Sequence, residues 1–297
     1  MYSYRIPVIL DTDIGTDIDD TWALVMLLKS PELDVKLITT TTGDTLYRAK
    51  IVAKMLEIAG RTDIPIGIGL NSGEFPRFQE QWVDEYDLSR YPGIVYEDGV
   101  GALTDTIMKS PIPITLIGIG PVPNIATALE KEPRIVRNAR YVGMQGYIRT
   151  EGNVPSREYN VATFPAECKK VFGAPWDVTI TPLDTCGYVM LDGQRYNAIR
   201  DSDDQLVRAL VDNYRIWANN RGLHDICEYR STGLMDTVAV YLSFSDDLLY
   251  MERLGIKVTD DGHTVIDDKE RSINCATYWR DLEGFKDFLT HRLLYGR

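Results

Sequence analysis

Five aspartates lie within ten consecutive residues near the start of the chain. They belong to the segment DTDIGTDIDD at residues 11–20, which directly follows the apolar run IPVIL at residues 6–10. Like charges crowded at the end of a buried strand repel one another, and only a bound cation or strong hydrogen bonds offset that cost. A helix N-terminus stabilises each carboxylate by only about 0.3–1 kcal/mol, so capping accounts for one or two of the five. The segment therefore predicts a cation site, with a metal-free cap-and-turn cluster as the alternative.

The oxygen chemistry of the segment selects the kind of cation. Hard divalent ions such as Ca²⁺ and Mg²⁺ prefer oxygen ligands, whereas zinc prefers nitrogen and sulfur. Flexible coordination by roughly six to eight oxygens favours Ca²⁺. A bound cation also lowers the pKa of a water molecule, whose proton a neighbouring carboxylate can accept. We therefore expect attack by an activated water.

Composition narrows the class of protein. The 297 residues are 44% hydrophobic and 26% charged, which suits one large α/β domain or two smaller ones. The net charge of -12 repels phosphate backbones and anionic membranes, so neither nucleic acid nor a membrane is an expected partner. The four cysteines form no CxxC pair, which argues against a zinc knuckle and suits reduced thiols in the cytoplasm. Neither a membrane-spanning run nor a signal peptide is expected.

Short β-branched runs alternate with amphipathic stretches along the chain, a pattern typical of βαβ units around a mostly parallel sheet. Ligands bind such sheets beyond the carboxyl ends of the strands. Residues 11–20, 43–44 and 118–124 and the polar loop 145–160 all follow predicted strands. We therefore expect these segments to converge on one rim.

The acidic segment resembles the N-terminal signature DxDPGxDD of the nucleoside N-ribohydrolases, the inosine/uridine-preferring group and its relatives. Ile14 stands in place of the proline, and two additional residues precede the final Asp pair. Further matches follow in order along nearly the whole chain. Residues 38–44 (ITTTTGD) resemble ITxxxGN, 117–126 (IGIGPVPNIA) resemble VGPLTNIA, 144–146 (MQG) resemble MGG, 158–160 (EYN) resemble EFN, and 183–185 (LDT) resemble LDLT.

The resemblance implies a fold and a reaction. The fold would be a single α/β domain over residues 1–297, with an open, mostly parallel mixed sheet and helices on both faces in a Rossmann-like arrangement. The reaction would be hydrolysis of the N-glycosidic bond of a purine or pyrimidine ribonucleoside by a Ca²⁺-bound water. Its transition state resembles an oxocarbenium ion, which carboxylates stabilise. The partner would be a small-molecule nucleoside, and the assembly a homodimer or homotetramer.

The resemblance also implies a role for each matching residue. Asp13 would be the general base and a metal ligand, and Asp20 would bind the metal through both oxygens. The backbone carbonyl of Ile119 and the carboxylate of Asp236 would complete the metal shell. The ribose contacts would be Asp19, Asp44, Asn153, Glu158 and Asn160, with Asp44 standing where the family commonly has Asn. Because of the two additional residues, it stays open whether Asp17 replaces one of the final Asp pair.

The sequence departs from the pattern where the leaving base is protonated. Met235 stands where many purine-active members have a histidine beside the metal-binding Asp, and residues 96–99 (YEDG) lack the second histidine. Only three histidines exist in the chain. His224 is predicted to protonate the leaving base, and Tyr229 or Arg230 would take this role if His224 does not. The alternative is that His224 is a solvated loop histidine without a catalytic role.

Two other functions stay open at this point. A strand followed by DxD-G-T also resembles the opening of haloacid-dehalogenase-like phosphatases, but residues 119–121 lack the phosphate-binding hydroxyl that such an enzyme needs. The missing histidines also suit a protein of the same fold that binds a nucleoside or ribosyl ligand without turning it over well.

Overall fold

A computed structural model describes residues 5–149 and 156–296 of the chain. Within these ranges the strands form one sheet of ten. The strands are β1 (Ile6–Thr12), β2 (Leu33–Thr40), β3 (Ile66–Ile68), β4 (Val95–Tyr96), β5 (Ile114–Gly118), β6 (Ala139–Met144), β7 (Val178–Thr181), β8 (Leu249–Val258), β9 (Thr264–Ile266) and β10 (Ser272–Trp279).

The sheet is mostly parallel, and its strand order is β4-β3-β2-β1-β5-β6-β7-β10-β8-β9. Every neighbouring pair from β4 to β10 is parallel, whereas β8 is antiparallel to both β10 and β9. The chain builds outward from β1 to β4 on one side, then returns to place β5 against the other side of β1. This reversal opens a crevice between the carboxyl ends of β1 and β5, where open α/β sheets bind ligands.

Helices connect most of the strands. They are α1 (Asp19–Leu28), α2 (Thr45–Ile58), α3 (Glu80–Val83), α4 (Gly99–Lys109), α5 (Pro123–Lys131), α6 (Tyr159–Thr163), α7 (Pro165–Gly173), α8 (Leu183–Cys186), α9 (Gly193–Arg200), α10 (Gln205–Asn220), α11 (Ile226–Tyr229), α12 (Asp236–Leu242) and α13 (Leu282–Tyr295). Two 3₁₀ turns lie at Leu88–Arg90 and Pro133–Arg137.

The two faces of the sheet bury separate apolar cores. Val8 and Leu10 of β1 pack into one core, and Ile9 between them packs into the other. This alternation follows from the period of two along a strand, and it buries residues 7–12 of β1 on both faces. The expected fold class is therefore confirmed. No helix in the described residues is long and apolar enough to cross a membrane.

Some elements differ from the expected ones. β10 was not expected, although it pairs with both β7 and β8, and neither was α9. In β10 the sequence SINCATYW mixes polar and apolar residues without clean alternation, and α9 carries three charged or amide residues in its first turns. Both elements are stabilised by contacts distant in sequence, which local periodicity does not report.

Candidate active site

A cavity opens at the crevice between β1 and β5. Its walls come from the loop after β1, the start of α1, the loop after β5, the end of β6, and the first residues of α6, α8 and α12. The lining residues are Asp13, Thr16, Asp17, Asp19, Asp20, Ile119, Met144, Glu158, Tyr159, Asn160, Leu183, Met235 and Asp236. The expected convergence on one rim is therefore found for most of the segments.

The loop at residues 13–17 is fixed by side chains that reach it from distant elements. Each of its five consecutive carbonyl oxygens accepts a hydrogen bond from one of them. The pairs are Asp13 and Ile14 with the Arg48 guanidinium, Gly15 with the Tyr47 hydroxyl at 3.0 Å, Thr16 with the Trp217 indole N–H at 2.9 Å, and Asp17 with the Gln79 amide at 3.0 Å. These five carbonyl oxygens can be buried because each of them has a hydrogen-bond donor.

Arg48 has the largest part in this network. It is 1% exposed, and besides the two loop carbonyls its Nη2 donates to Thr16 Oγ1 at 3.0 Å and its Nε donates to the Thr42 carbonyl at 2.8 Å. The planar guanidinium fork suits several acceptors at once. Gly15 adopts a φ of +111°, and a Cβ there would lie 2.6 Å from the Tyr47 ring, so only glycine fits this turn.

Three buried carboxylates lie close enough to share one cation. Asp19, Asp20 and Asp236 each offer an oxygen, and these atoms lie within 4.8 Å of one another. Asp19 and Asp20 begin α1, and Asp236 begins α12, so the sequence brings them together by packing these two helices side by side. An all-oxygen donor set of this kind fits a hard divalent cation.

Asp13 and Ile119 border the same cavity. A Cβ built on Gly120 would lie 2.6 Å from Asp13 Oδ1, which places the Asp13 carboxylate directly against the turn after β5. The Ile119 carbonyl accepts a hydrogen bond from the Asn160 amide at 3.2 Å. The expected ligand Asp20 accepts a hydrogen bond from Thr12 Oγ1, which fixes its orientation at the end of β1.

Burial raises the pKa of each carboxyl group in the cavity. It raises the pKa of Asp13 to about 6, against the opposing charge of Arg48, and that of Asp19 to about 7, with the charge of Asp17 adding to the effect. The pKa values of Asp20 and Asp236 are raised well above normal by burial first and by neighbouring carboxylates second. Several buried carboxylates crowded in one cavity favour the binding of a cation or of a transition state with positive charge.

Glu158 and Asn160 are held by backbone groups. Glu158 caps α6 and accepts hydrogen bonds from the N–H groups of Gly146 at 3.0 Å, Asn160 at 2.6 Å and Val161 at 3.1 Å. Burial nevertheless raises the pKa of Glu158 to about 7, because these bonds offset it only in part. The Asn160 amide also donates to the Met144 carbonyl at 2.9 Å, which fixes the direction of its oxygen.

Comparison with known proteins agrees with this geometry. The model of the inosine-uridine preferring nucleoside hydrolases matches residues 8–286. The chain belongs to this family. The non-specific ribonucleoside hydrolase RihC of Klebsiella pneumoniae is 30% identical over 240 residues, covering 75% of this chain and 77% of the relative. RihC of Salmonella typhimurium is 29% identical over 237 residues, covering 74% and 76%.

Solved nucleoside hydrolases share the fold of this family member. A plant nucleoside hydrolase superposes with a TM-score of 0.79 at 22% identity, covering 98% of this chain and 100% of its own. A purine-preferring ribonucleoside hydrolase from Gardnerella vaginalis superposes with a TM-score of 0.77 at 21% identity, covering 97% and 98%. At these identities the likeness establishes the architecture alone.

Two predicted residues of this nucleoside hydrolase lie outside the cavity lining, and a third lies outside the described residues. Asp44 does not line the cavity: it caps α2 by accepting from the Tyr47 N–H at 2.9 Å, and it pairs with Arg77 at 3.1 Å. Asn153 lies outside the described residues. His224 is exposed in the loop after α10, with its Nδ1 3.2 Å from Asn219 Oδ1, and is not in the cavity lining. The roles assigned to these three residues stay predictions.

The structure adds residues that sequence reasoning did not assign. Asp17 and Tyr159 line the cavity, and Arg48 and Trp217 fix its wall. Asp17 was an open question because of the two additional residues, and the structure places it on the exposed side of the cavity. Arg48 could have been found from the sequence, because it lies among apolar residues of a predicted helix. A buried arginine at such a position needs several hydrogen-bond acceptors nearby.

Proposed function

We propose that this chain hydrolyses the N-glycosidic bond of ribonucleosides to give ribose and a free base. The observation that carries the proposal is the cluster of the Asp19, Asp20 and Asp236 carboxylates, which shares one cavity with Asp13, Glu158 and Asn160. Membership of the nucleoside hydrolase family supports the same reaction. The relatives named as ribonucleoside hydrolases supply the substrate class by similarity.

We propose Ca²⁺ as the cation. Of the three clustered carboxylates, Asp20 and Asp236 would hold it together with Asp13 and the Ile119 carbonyl, whereas Asp19 would bind the ribose. All of these ligands offer oxygen. When bound, the ion would supply the electrostatic pull that makes a proton of water easier to remove. The fit rests on the donor set: the described residues that line the cavity include neither histidine nor cysteine, the ligands that zinc prefers.

Asp13 acts as the general base in this proposal. Its carboxylate is buried against the turn after β5 and lines the same cavity as the other proposed ligands, so it is placed to accept a proton from a water held there. The water oxygen adds to C1′ of the ribose as the bond to the base breaks. The surrounding carboxylates stabilise the positive charge that develops on the sugar.

Buried polar groups hold the ribose. Asp19, Glu158 and Asn160 are only 4%, 4% and 6% exposed, so their contacts with the sugar hydroxyls would form away from bulk water. Carboxylates accept from the sugar hydroxyls, and the amide of Asn160 is already oriented by two backbone carbonyls. Asn153 and Asp44 are proposed as further ribose contacts.

Protonation of the leaving base is assigned to His224 only by the sequence. The role predicts a fall of about tenfold or more in kcat for neutral nucleosides in His224→Ala, with His291→Ala on α13 as the matched control. An unchanged kcat in both variants would remove His224 from the reaction.

The experiment for the whole proposal is an assay of free ribose. Chelator-treated protein receives Ca²⁺ or buffer, and each sample is incubated with a panel of purine and pyrimidine ribonucleosides. Ribose release that depends on added Ca²⁺ supports the proposal. The absence of release from every nucleoside, with the cation bound as measured by calorimetry, would contradict it.

The partner predictions have their own tests. A homodimer or homotetramer predicts a mass of two or four chains in sedimentation equilibrium. Binding to neither nucleic acid nor anionic vesicles is expected from the net charge of -12. A location in the cytoplasm is tested by fractionation of the source cells.

A further inference from the structure

A second cavity lies at the opposite end of the sheet from the candidate active site. Ile6 begins β1, and Arg140 and Thr179 are the second residues of β6 and β7, so the cavity lies where these parallel strands start. The loop that follows α12 closes it on one side. Its volume of about 370 Å³ is in the range of small-molecule sites. In the described residues, its lining and that of the active-site cavity have no member in common.

Arg140 brings a positive charge to this second cavity. Its side chain is partly buried, with Nε donating to Thr115 Oγ1 at 2.9 Å and Nη2 donating to the Ser243 carbonyl at 2.6 Å. It forms an ion pair with none of the described carboxylates, and burial lowers its pKa although the charge of Asp177 opposes this. A buried charge is costly unless an opposite charge accompanies it. The second cavity therefore favours an anion.

The guanidinium also has unused hydrogen-bond donors. Two of its five N–H groups donate to Thr115 and Ser243, which leaves three without an acceptor among the described residues. Because the two acceptors belong to β5 and to the loop after α12, the guanidinium is held in place from two sides. Hydrogen bonds from a guanidinium to a carboxylate or phosphate are short and strong because both groups are charged.

Two neutral donors lie on the same face of the sheet. Thr179 pairs with Val142, two residues after Arg140, so the Thr179 and Arg140 side chains point to one face. Asn274 pairs with Thr179 on the other side, and its amide donates to Thr179 Oγ1 at 3.5 Å. The Thr179 hydroxyl proton and the second amide N–H of Asn274 have no acceptor in the described part of the chain. Three neighbouring strands thus present donors to the second cavity.

The rest of the lining is largely apolar. Ile6, Leu242, Phe244 and Met251 contribute hydrocarbon surface. Asp246 is the acidic residue of the described lining, and it is exposed in the loop after α12. Burying apolar area of a ligand against such a surface adds to the binding free energy. A ligand with an anionic group and an apolar body complements both parts of the lining.

We propose that the second cavity binds a small organic anion that carries a carboxylate or a phosphomonoester group. The anionic group contacts Arg140, Thr179 and Asn274, and the apolar body packs against Leu242 and Phe244. Binding here does not depend on the hydrolysis of a nucleoside, because the residues proposed for that reaction belong to the other cavity.

Calorimetry on the Ca²⁺-loaded protein tests the ligand class. Benzoate and phenyl phosphate are compared with benzamide, a neutral molecule of nearly the same shape as benzoate. Each anion should bind with one molecule per chain, and benzamide should bind about tenfold more weakly or less than benzoate. The anion that binds more tightly identifies the preferred charged group. Equal affinities for benzamide and benzoate, or binding of neither anion at millimolar concentrations, would overturn the proposal.

Substitutions in the lining locate the bound anion. Arg140→Gln should weaken binding about tenfold or more because it removes the positive charge. Arg253→Gln on β8 is the matched control, because Arg253 also donates to a backbone carbonyl, at 3.3 Å, and does not line the second cavity. Thr179→Val keeps the shape of the side chain and should weaken binding several-fold, which preserves the test if Arg140→Gln does not fold. Unchanged affinity in the folded variants would overturn the assignment.

The acidic residue of the lining gives a test with the opposite sign. Asp246→Asn should tighten anion binding about twofold or more, because it removes a like charge, whereas Asp247→Asn, at the next exposed position outside the lining, should have a smaller effect. Removing Ca²⁺ with a chelator should leave the affinity unchanged. An affinity that is lost with Ca²⁺ and that Arg140→Gln does not alter would place the anion at the other cavity and contradict the proposal.

Discussion

The guanidinium of Arg48 offers the sharpest test of how the site is held. Arg48→Lys keeps the positive charge but loses the planar fork that serves four acceptors: three carbonyl oxygens and the Thr16 hydroxyl. A lysine ammonium on one flexible stem reaches one or two of them. Each buried acceptor left alone costs about 1 kcal/mol at the low end, so the variant should lose about 2–3 kcal/mol of unfolding free energy.

The same substitution should weaken cation binding. Because the charge is retained, electrostatic attraction of the cation changes little, and the effect comes from the loosened loop that carries Asp13. In the variant, part of the binding free energy of Ca²⁺ must be used to order this loop. If that part is about 1.4 kcal/mol, the Ca²⁺ affinity falls about tenfold.

Denaturant unfolding and calorimetric titration with Ca²⁺ measure the two effects. Arg292→Lys is the matched control, because Arg292 is also buried, at 3% exposure, and pairs with Glu32, and neither residue lines the cavity. The control should lose stability and keep its Ca²⁺ affinity. A Ca²⁺ affinity that falls equally in both variants, or in neither, would refute the reasoning that Arg48 orders the site.

Three further predictions concern the same cavity. Asp236→Asn should lower Ca²⁺ affinity about 100-fold or more in calorimetry. It should not destabilise the metal-free protein at about pH 8, because it removes a carboxylate that repels its neighbours. The control Asp247→Asn, at an exposed position, should change neither the affinity nor the stability. The metal-free protein should lose stability as the pH rises from about 5 to about 8, because Asp13, Asp19 and Glu158 have raised pKa values in the folded state and so bind protons that the unfolded chain has already released. Ca²⁺ should restore that loss in thermal unfolding, and a metal-free stability that rises over this window would contradict the raised pKa values. Trp217→Phe removes the indole donor to the Thr16 carbonyl and should raise KM several-fold at a cost of about 1 kcal/mol, whereas Trp176→Phe, which loses a bond of the same 2.9 Å length to Val171, should cost similar stability with KM unchanged.

Local patterns in the sequence predicted the frame of the site. The apolar run before the acidic segment became β1, because a strand buried on both faces needs an uninterrupted β-branched stretch. The helix that follows starts at Asp19 and buries its apolar residues. Since parallel strands align their carboxyl ends, the segments after β1, β5 and β6 had to meet, and the cavity lining confirms that they do.

Contacts between distant parts of the chain were not predictable in the same way. The Trp217 indole reaches a carbonyl 201 residues earlier, and Arg48 contacts a loop 34 residues before it. No periodicity encodes such pairs. Asp44 illustrates another limit: the motif suggests a ribose contact, which stays a prediction, and nothing in it indicates that the carboxylate also caps α2 and pairs with Arg77. A short polar side chain after a strand serves a helix N-terminus as readily as a ligand.

The most direct test of the account is ribose release by wild-type protein and by Asp13→Asn, measured side by side on the same ribosides. Both proteins are first shown by calorimetry to be saturated with Ca²⁺ and with ribosyl ligand. The account predicts turnover by the wild type and a loss of about 1,000-fold or more in the variant, because the asparagine amide still offers an oxygen to the cation but does not accept the proton of water. Turnover that persists in Asp13→Asn would contradict the assigned base, and bound ligand without turnover in the wild type would identify a binding protein.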